Sequence, residues 1–227
     1  MRGDLSGVLS NPSVLSSIPR PELFSFAERG LTKDVFGGLL YGQPLQDGKA
    51  GGLAVGAMYY NAGSLDLTYF DPITKLETSK SVTGQSDVIG MLAYGAPVGK
   101  TLGLGITAKV GTSNVAEAVS AVAAALDLGG WWQSPVEGLS FGGGVQNLGI
   151  SGTFIKSRES LPLIGALGAG YTRALGGDLS VTVGVDANYL APESRVLAQT
   201  GLEFGWRGYS VLGGYRFGAK DAQITVG

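Results

Sequence analysis

The chain has 227 residues, of which 39 are glycine and 15% are charged, against typical usage of about 7% and about 25%. With 16 Lys and Arg against 18 Asp and Glu, the net charge of -2 lacks the electrostatic footprint of a nucleic-acid binder. Histidine and cysteine are absent, which excludes disulfides, Cys- and His-ligated zinc, haem or iron-sulfur sites, and Ser-His or Cys-His nucleophilic centres.

No run of about 18 apolar residues occurs, so the sequence predicts no membrane-spanning helix. Met1-Arg2-Gly3-Asp4 is followed by no apolar stretch of signal-peptide type. If the protein is exported, its targeting segment is expected outside this chain. Residues 1–20 read as a lead-in segment and residues 21–227 as one β domain. The dominant signal is a period of two, produced by a strand with unlike faces because successive side chains point to opposite sides. It predicts about 13 strands, starting near Glu22, Asp34, Gly52, Ser64, Ser86, Thr101, Ala118, Gly138, Leu163, Leu179, Arg195, Gly208 and Ala222. In one of the clearest, Val181, Val183, Val185, Ala187 and Tyr189 oppose Ser180, Thr182, Gly184, Asp186 and Asn188. Helical spacing competes in the Ala-rich stretch Val115 to Leu128, but Asp127-Leu128-Gly129-Gly130-Trp131-Trp132 ends it as a strand would.

Tight connections (Arg29 to Lys33, Asn61 to Gly63, Pro97 to Thr101, Ser134 to Glu137, Ala174 to Asp178, Arg207) are expected to take turns with longer ones. The longer set is Leu45 to Gly51, Asp71 to Gln85, Gly111 to Glu117, Leu148 to Pro162 and Leu190 to Ser194. Up-and-down outer-membrane barrels show this alternation, with short turns at one end and long loops at the other. Most strands fall near the 9 to 11 residues that cross a bilayer when tilted. Ala222 to Gly227 reads as the opening of a strand. Since bacterial single-chain barrels have even strand numbers, the expectation is a barrel truncated at both ends, with a further strand beyond Gly227.

Alternation alone also fits a secreted or surface β-structural module with one buried and one wet face. Three features favour an antiparallel transmembrane barrel. The polar face is largely Gly, Ser and Thr rather than Lys and Glu. Tyr59, Tyr69, Trp132, Tyr171, Tyr189, Trp206 and Tyr215 lie near strand ends, where interfacial aromatic anchors belong. The apolar face recurs over more strands than a small sandwich needs, and among sheets only a closed barrel satisfies every backbone polar group in lipid.

Several phrases carry a family resemblance. Asn11-Pro12-Ser13-Val14-Leu15 followed by Arg20-Pro21-Glu22-Leu23, the stretch Ala125-Leu126-Asp127-Leu128-Gly129-Gly130, and Gly138 to Gly149 followed by a polar loop and Leu161-Pro162 resemble the PorV/PorQ-like outer-membrane proteins, relatives of FadL-type fatty-acid transporters. In place of the family's Ala-Gly after Asn-Pro, this chain has Ser13-Val14. The resemblance implies a barrel of about 14 strands with an N-terminal plug segment, in the bacterial outer membrane. It further implies either passage of hydrophobic small molecules or reception of secreted cargo proteins by a type IX-like secretion system. It implies no cofactor and no enzymatic activity.

If the apolar face meets lipid, Asp66, Lys109, Asp127, Gln146, Asp186, Asn188, Glu203 and Arg216 point into the lumen, where buried charges are expected to pair with one another. Gly142-Gly143-Gly144 is expected to continue as strand rather than cradle a phosphate, because no helix follows it. Trp131 and Trp132 must face opposite sides, one filling the lumen and one anchoring at the interface. The polar loops carrying Lys75, Lys80, Lys156, Arg158 and Glu159 are expected to meet a protein partner.

Overall fold

The computed structural model describes residues 4–30, 33–70, 72–73, 75–154, 157–158, 160–217 and 224–226. Period-two sequence becomes strand, including the Ala-rich stretch from Val119 onward, and the fold is all-β and antiparallel. The strands are β1 (Glu22–Arg29), β2 (Val35–Pro44), β3 (Gly52–Asn61), β4 (Ser64–Phe70), β5 (Glu77–Thr83), β6 (Gln85–Val98), β7 (Leu102–Val115) and β8 (Val119–Gln133). They continue with β9 (Leu139–Ser151), β10 (Thr153–Phe154), β11 (Ser157–Arg158), β12 (Ile164–Gly176), β13 (Leu179–Leu190), β14 (Arg195–Trp206), β15 (Tyr209–Phe217) and β16 (Ile224–Val226). Twelve form one up-and-down sheet in the order β1-β2-β3-β6-β7-β8-β9-β12-β13-β14-β15-β16. Among the described residues β1 and β16 are its edges and do not pair with each other, so the sheet is not closed.

The strand starting at Ser64 is not part of this sheet. β4 pairs only with β5, which occupies about half of the expected loop Asp71 to Gln85. The two nevertheless continue the β3–β6 ladder in the same register. Asn61 faces Ser86, the Gly84 amide donates to the Gly63 carbonyl at 2.8 Å, and Ser64 faces Thr83. β3–β4 and β5–β6 are thus one long hairpin whose outer half projects past the sheet as an arm. Counting β4 as a sheet strand also misplaced the first two connections. The tight Arg29 to Lys33 turn lies at the same end as the arm and the 152–163 connection, whereas Leu45 to Gly51 lies at the opposite end. The expected long loop Gly111 to Glu117 is instead a short turn, Ala116 to Ala118, between β7 and β8. Ala116 and Glu117 hold φ of 52° and 56° there.

Residues 4–20 cross one face of the sheet as two 3-10 turns, Leu5–Leu9 and Pro12–Ser17, capped by Asp4 and Asn11 side chains that accept from Ser6 and Ser13 amides. The segment shows that the sheet curls. The Leu5 amide donates to Glu22 on β1 and the Leu9 carbonyl accepts from Gln146 on β9. Four 3-10 residues advance only about 8 Å, while the six strand spacings from β1 to β9 would span about 29 Å if flat. The face carrying the segment is therefore concave. Leu5, Val8, Leu15 and Ile18 pack there on Leu40, Ala54, Met91 and Ala93 to form the core, each fully buried large side chain worth about 1.5–3 kcal/mol.

Glycine makes this close seat possible. Gly52, Gly95, Gly105 and Gly129 stand in register across β3, β6, β7 and β8. A Cβ at Gly95 would lie 2.8 Å from the Pro12 carbonyl and the Ser16 amide, and one at Gly105 would overlap the main chain of Pro12 and Ser13. The glycine-rich inner face is the floor on which the N-terminal segment's backbone lies.

Candidate functional site

The concave face has two unlike halves. Across β1 to β8 it is filled by the N-terminal segment, which packs on apolar side chains and glycines and is fastened in place by polar side chains. Asn11 Nδ2 donates to the Gly130 and Gly143 carbonyls at 3.2 and 3.3 Å, and Trp131 Nε1 donates to Ser16 Oγ at 2.8 Å. Trp131 thus faces inward while its neighbour Trp132 is 44% exposed on the other face. Gly142-Gly143-Gly144 continues as strand within β9.

The polar centre of the site is a β-bulge in β9. Leu126 faces Leu148 and Leu128 faces Val145, so Asp127 is opposed by both Gln146 and Asn147. Asn147 takes a left-handed φ of 61°, a region Asn tolerates better than most residues. Asp127 is 0% exposed. Lys109 Nζ lies 2.6 Å from Asp127 Oδ2 and donates to Asn147 Oδ1 at 3.1 Å, and the Asn147 amide donates to Asp127 Oδ1 at 2.8 Å. Gln146 Nε2 donates to the Leu9 and Ser10 carbonyls at 2.9 and 2.8 Å. Asn147 Nδ2 reaches the Pro162 carbonyl at 2.9 Å. Thr107 stands directly opposite Asp127 in the ladder, fully buried, its Oγ1 unpartnered among protein atoms.

The remaining predicted lumen residues lie along β13 to β15. Asp186 shares a cross-strand row with Gly142, Gly168, Gln199 and Arg216. Gly142 adjoins Asn11, which places that row on the concave side. Asn188 lies two residues from Asp186 on the same face, and Glu203 accepts from Ser210 Oγ at 2.7 Å. Asp66 is a correction. Its spacing is that of an inward residue, but β4 has left the sheet, so Asp66 is exposed on the arm and borders no lumen.

The opposite, convex face is apolar and uncovered. Leu104, Val110, Val122, Leu167, Val185, Val196 and Val211 are 48–73% exposed. Following the register, the only charged residues on this face within the sheet's strands are Arg29, the last residue of β1, and Arg173, near the end of β12. Six of the predicted anchors lie here in two rows. Trp132, Tyr171 and Trp206 lie toward the end with short turns, and Tyr59, Tyr189 and Tyr215 toward the arm end. Tyr69 instead stands on the arm.

The arm is tied to the sheet by Glu117, whose carboxylate accepts from the Thr83 amide at 3.0 Å. That hydrogen bond, assisted by the Lys80 charge, holds the Glu117 pKa below its ordinary value. Lys80 lies on β5 rather than in a loop, and Lys75 in the turn before it. Arg158 falls in β11, a two-residue strand paired with β10. Lys156 and Glu159 lie outside the described residues.

Two hollows open broadly to solvent. One of about 600 Å³ lies beside Asp4, Arg20 and Glu22, and one of about 330 Å³ beside Thr83, Asn114 and Glu117. No known family and no curated protein matches this chain.

Proposed function

We propose that this chain forms the wall of a transmembrane β-barrel in the bacterial outer membrane. In this reading it acts without catalysis as a surface receptor for secreted cargo, in the manner of the PorV/PorQ-like proteins it resembles. The observation that carries the reading is the convex face, apolar and free of charge between two rows of aromatic residues. A soluble sheet with one face in water would place charges there. The spacing of the rows also fits. From Val196, the partner of Tyr189, to Trp206 is ten residues along β14. That is about 33 Å of strand, or about 25 Å along the normal at a tilt of about 40°, close to the height of a barrel's apolar band. In lipid the edges of β1 and β16 must be paired, by each other or by further strands.

The filled apolar half of the interior favours a receptor over an open aqueous pore. Passage of a hydrophobic small molecule is the competing role, and the apolar inner surface around Phe24, Phe26 and Met58 is where it would run. The test is to express the natural gene with its own flanking sequence and fractionate the cells. Recovery with outer membranes, with a band that migrates faster unboiled than boiled in a detergent gel, is the expected result. A soluble product with no heat shift would overturn the reading and leave a surface β module in its place.

A further inference from the structure

The β9 bulge touches the interior and the rim at once. Gln146 holds the Leu9 and Ser10 carbonyls of the N-terminal segment, and the next residue, Asn147, holds the Pro162 carbonyl at the end of the 152–163 connection. The peptide between them is pinned on its far side by Asp127, which accepts from the Asn147 amide, and by Lys109, which bridges Asp127 and Asn147. Gln146 is also the ladder partner of Ile164, two residues beyond Pro162. We propose that this bulge is a coupling joint, through which a partner that shifts the Pro162 end of the connection loosens the seat of the N-terminal segment.

The two sites are separate, and each is held by a different residue of one dipeptide whose backbone is fixed by a buried ion pair. Register slip cannot be the motion. A one-residue shift would turn the exposed face of β9 inward and the face with Gly142 and Gly144 outward. What can change is the set of side-chain bonds at Gln146 and Asn147, and the coupling between them is reciprocal. The joint rests on the concave face alone and stands whether or not the convex face meets lipid.

Hydrogen exchange read by mass spectrometry on the whole purified chain tests it. Asn147→Gly keeps the left-handed φ and the backbone amide that Asp127 accepts from, adds no charge, and removes the donor to Pro162. Exchange in residues 7–14, where the Ser10 and Asn11 amides bond to the Gly7 carbonyl, is expected to quicken about fivefold, the effect of losing one net hydrogen bond. In the reverse direction, Gln146→Ala should quicken exchange at Leu163 and Ala191, whose amides bond to Leu161 and Leu163. β13 reports on global unfolding, and if Asn147→Gly quickens exchange there, Gln146→Ala decides alone. Unchanged exchange in the distant element, with β13 also unchanged, overturns the joint.

Discussion

A carboxylate with 0% exposure, such as Asp127, is tolerable only because a cation and an amide reach it. Removing one partner of a buried pair leaves an uncompensated charge, which costs far more than the pair itself contributes. Lys109→Met should therefore destabilise the fold by about 3–5 kcal/mol in a denaturant titration, whereas Lys109→Met combined with Asp127→Leu should recover most of that loss. Equal losses in both variants would mean that Lys109 acts through packing rather than charge. Glu117 gives a pH dependence of known sign. Its pKa is lowered in the folded arm, so its contribution is present above the ordinary value of 4.5 and is lost as pH falls below it through the lowered folded value. The Thr83 amide resonance should titrate in that acidic window in the native chain and stay flat in Glu117→Gln; identical profiles would remove the tether.

Among the elements, the arm makes the sharpest forecast. β3 and β6 pair from Gly52–Gly95 to Asn61–Ser86 without help from β4 or β5. Replacing residues 64–83 by a two-residue turn between Gly63 and Gly84 should therefore leave the melting temperature of the sheet unchanged within a few degrees. A collapse of the sheet would show that the arm is part of its core. Sequence periodicity reached the strands because each has one apolar face, and the same parity sets Lys109, Asp127 and Asp186 on the concave side, while Asp66 leaves it with β4. It could not say where a strand leaves the sheet, since Leu65, Leu67 and Tyr69 keep the outward spacing of Val55, Ala57 and Tyr59 while β4 changes company. The bulge did leave a trace. The apolar phase in β9 runs Leu139, Phe141, Val145 and then jumps to Leu148 and Ile150, so one extra residue is written into the sequence at Gln146-Asn147. The roles of Asn11 and Ser16 had no such trace, because their partners Gly130, Gly143 and Trp131 lie more than a hundred residues away.

For the whole molecule, the surfaces of the sheet tell one story between them. The concave side spends its apolar half on the N-terminal segment, and the convex side keeps its apolar surface free of any element among the described residues. Exposed apolar area on that scale marks contact with another molecule or with a membrane, and the two aromatic rows favour lipid. The chain has 3 Trp residues, two on the convex face near one end and one on the concave face. Single-Trp versions, with the other two changed to Phe, can be reconstituted in bilayers whose lipids carry bromine on the acyl chain. Trp132 and Trp206 should be strongly quenched and Trp131 hardly at all; equal quenching of all three, or none of any, would contradict a convex face immersed in lipid.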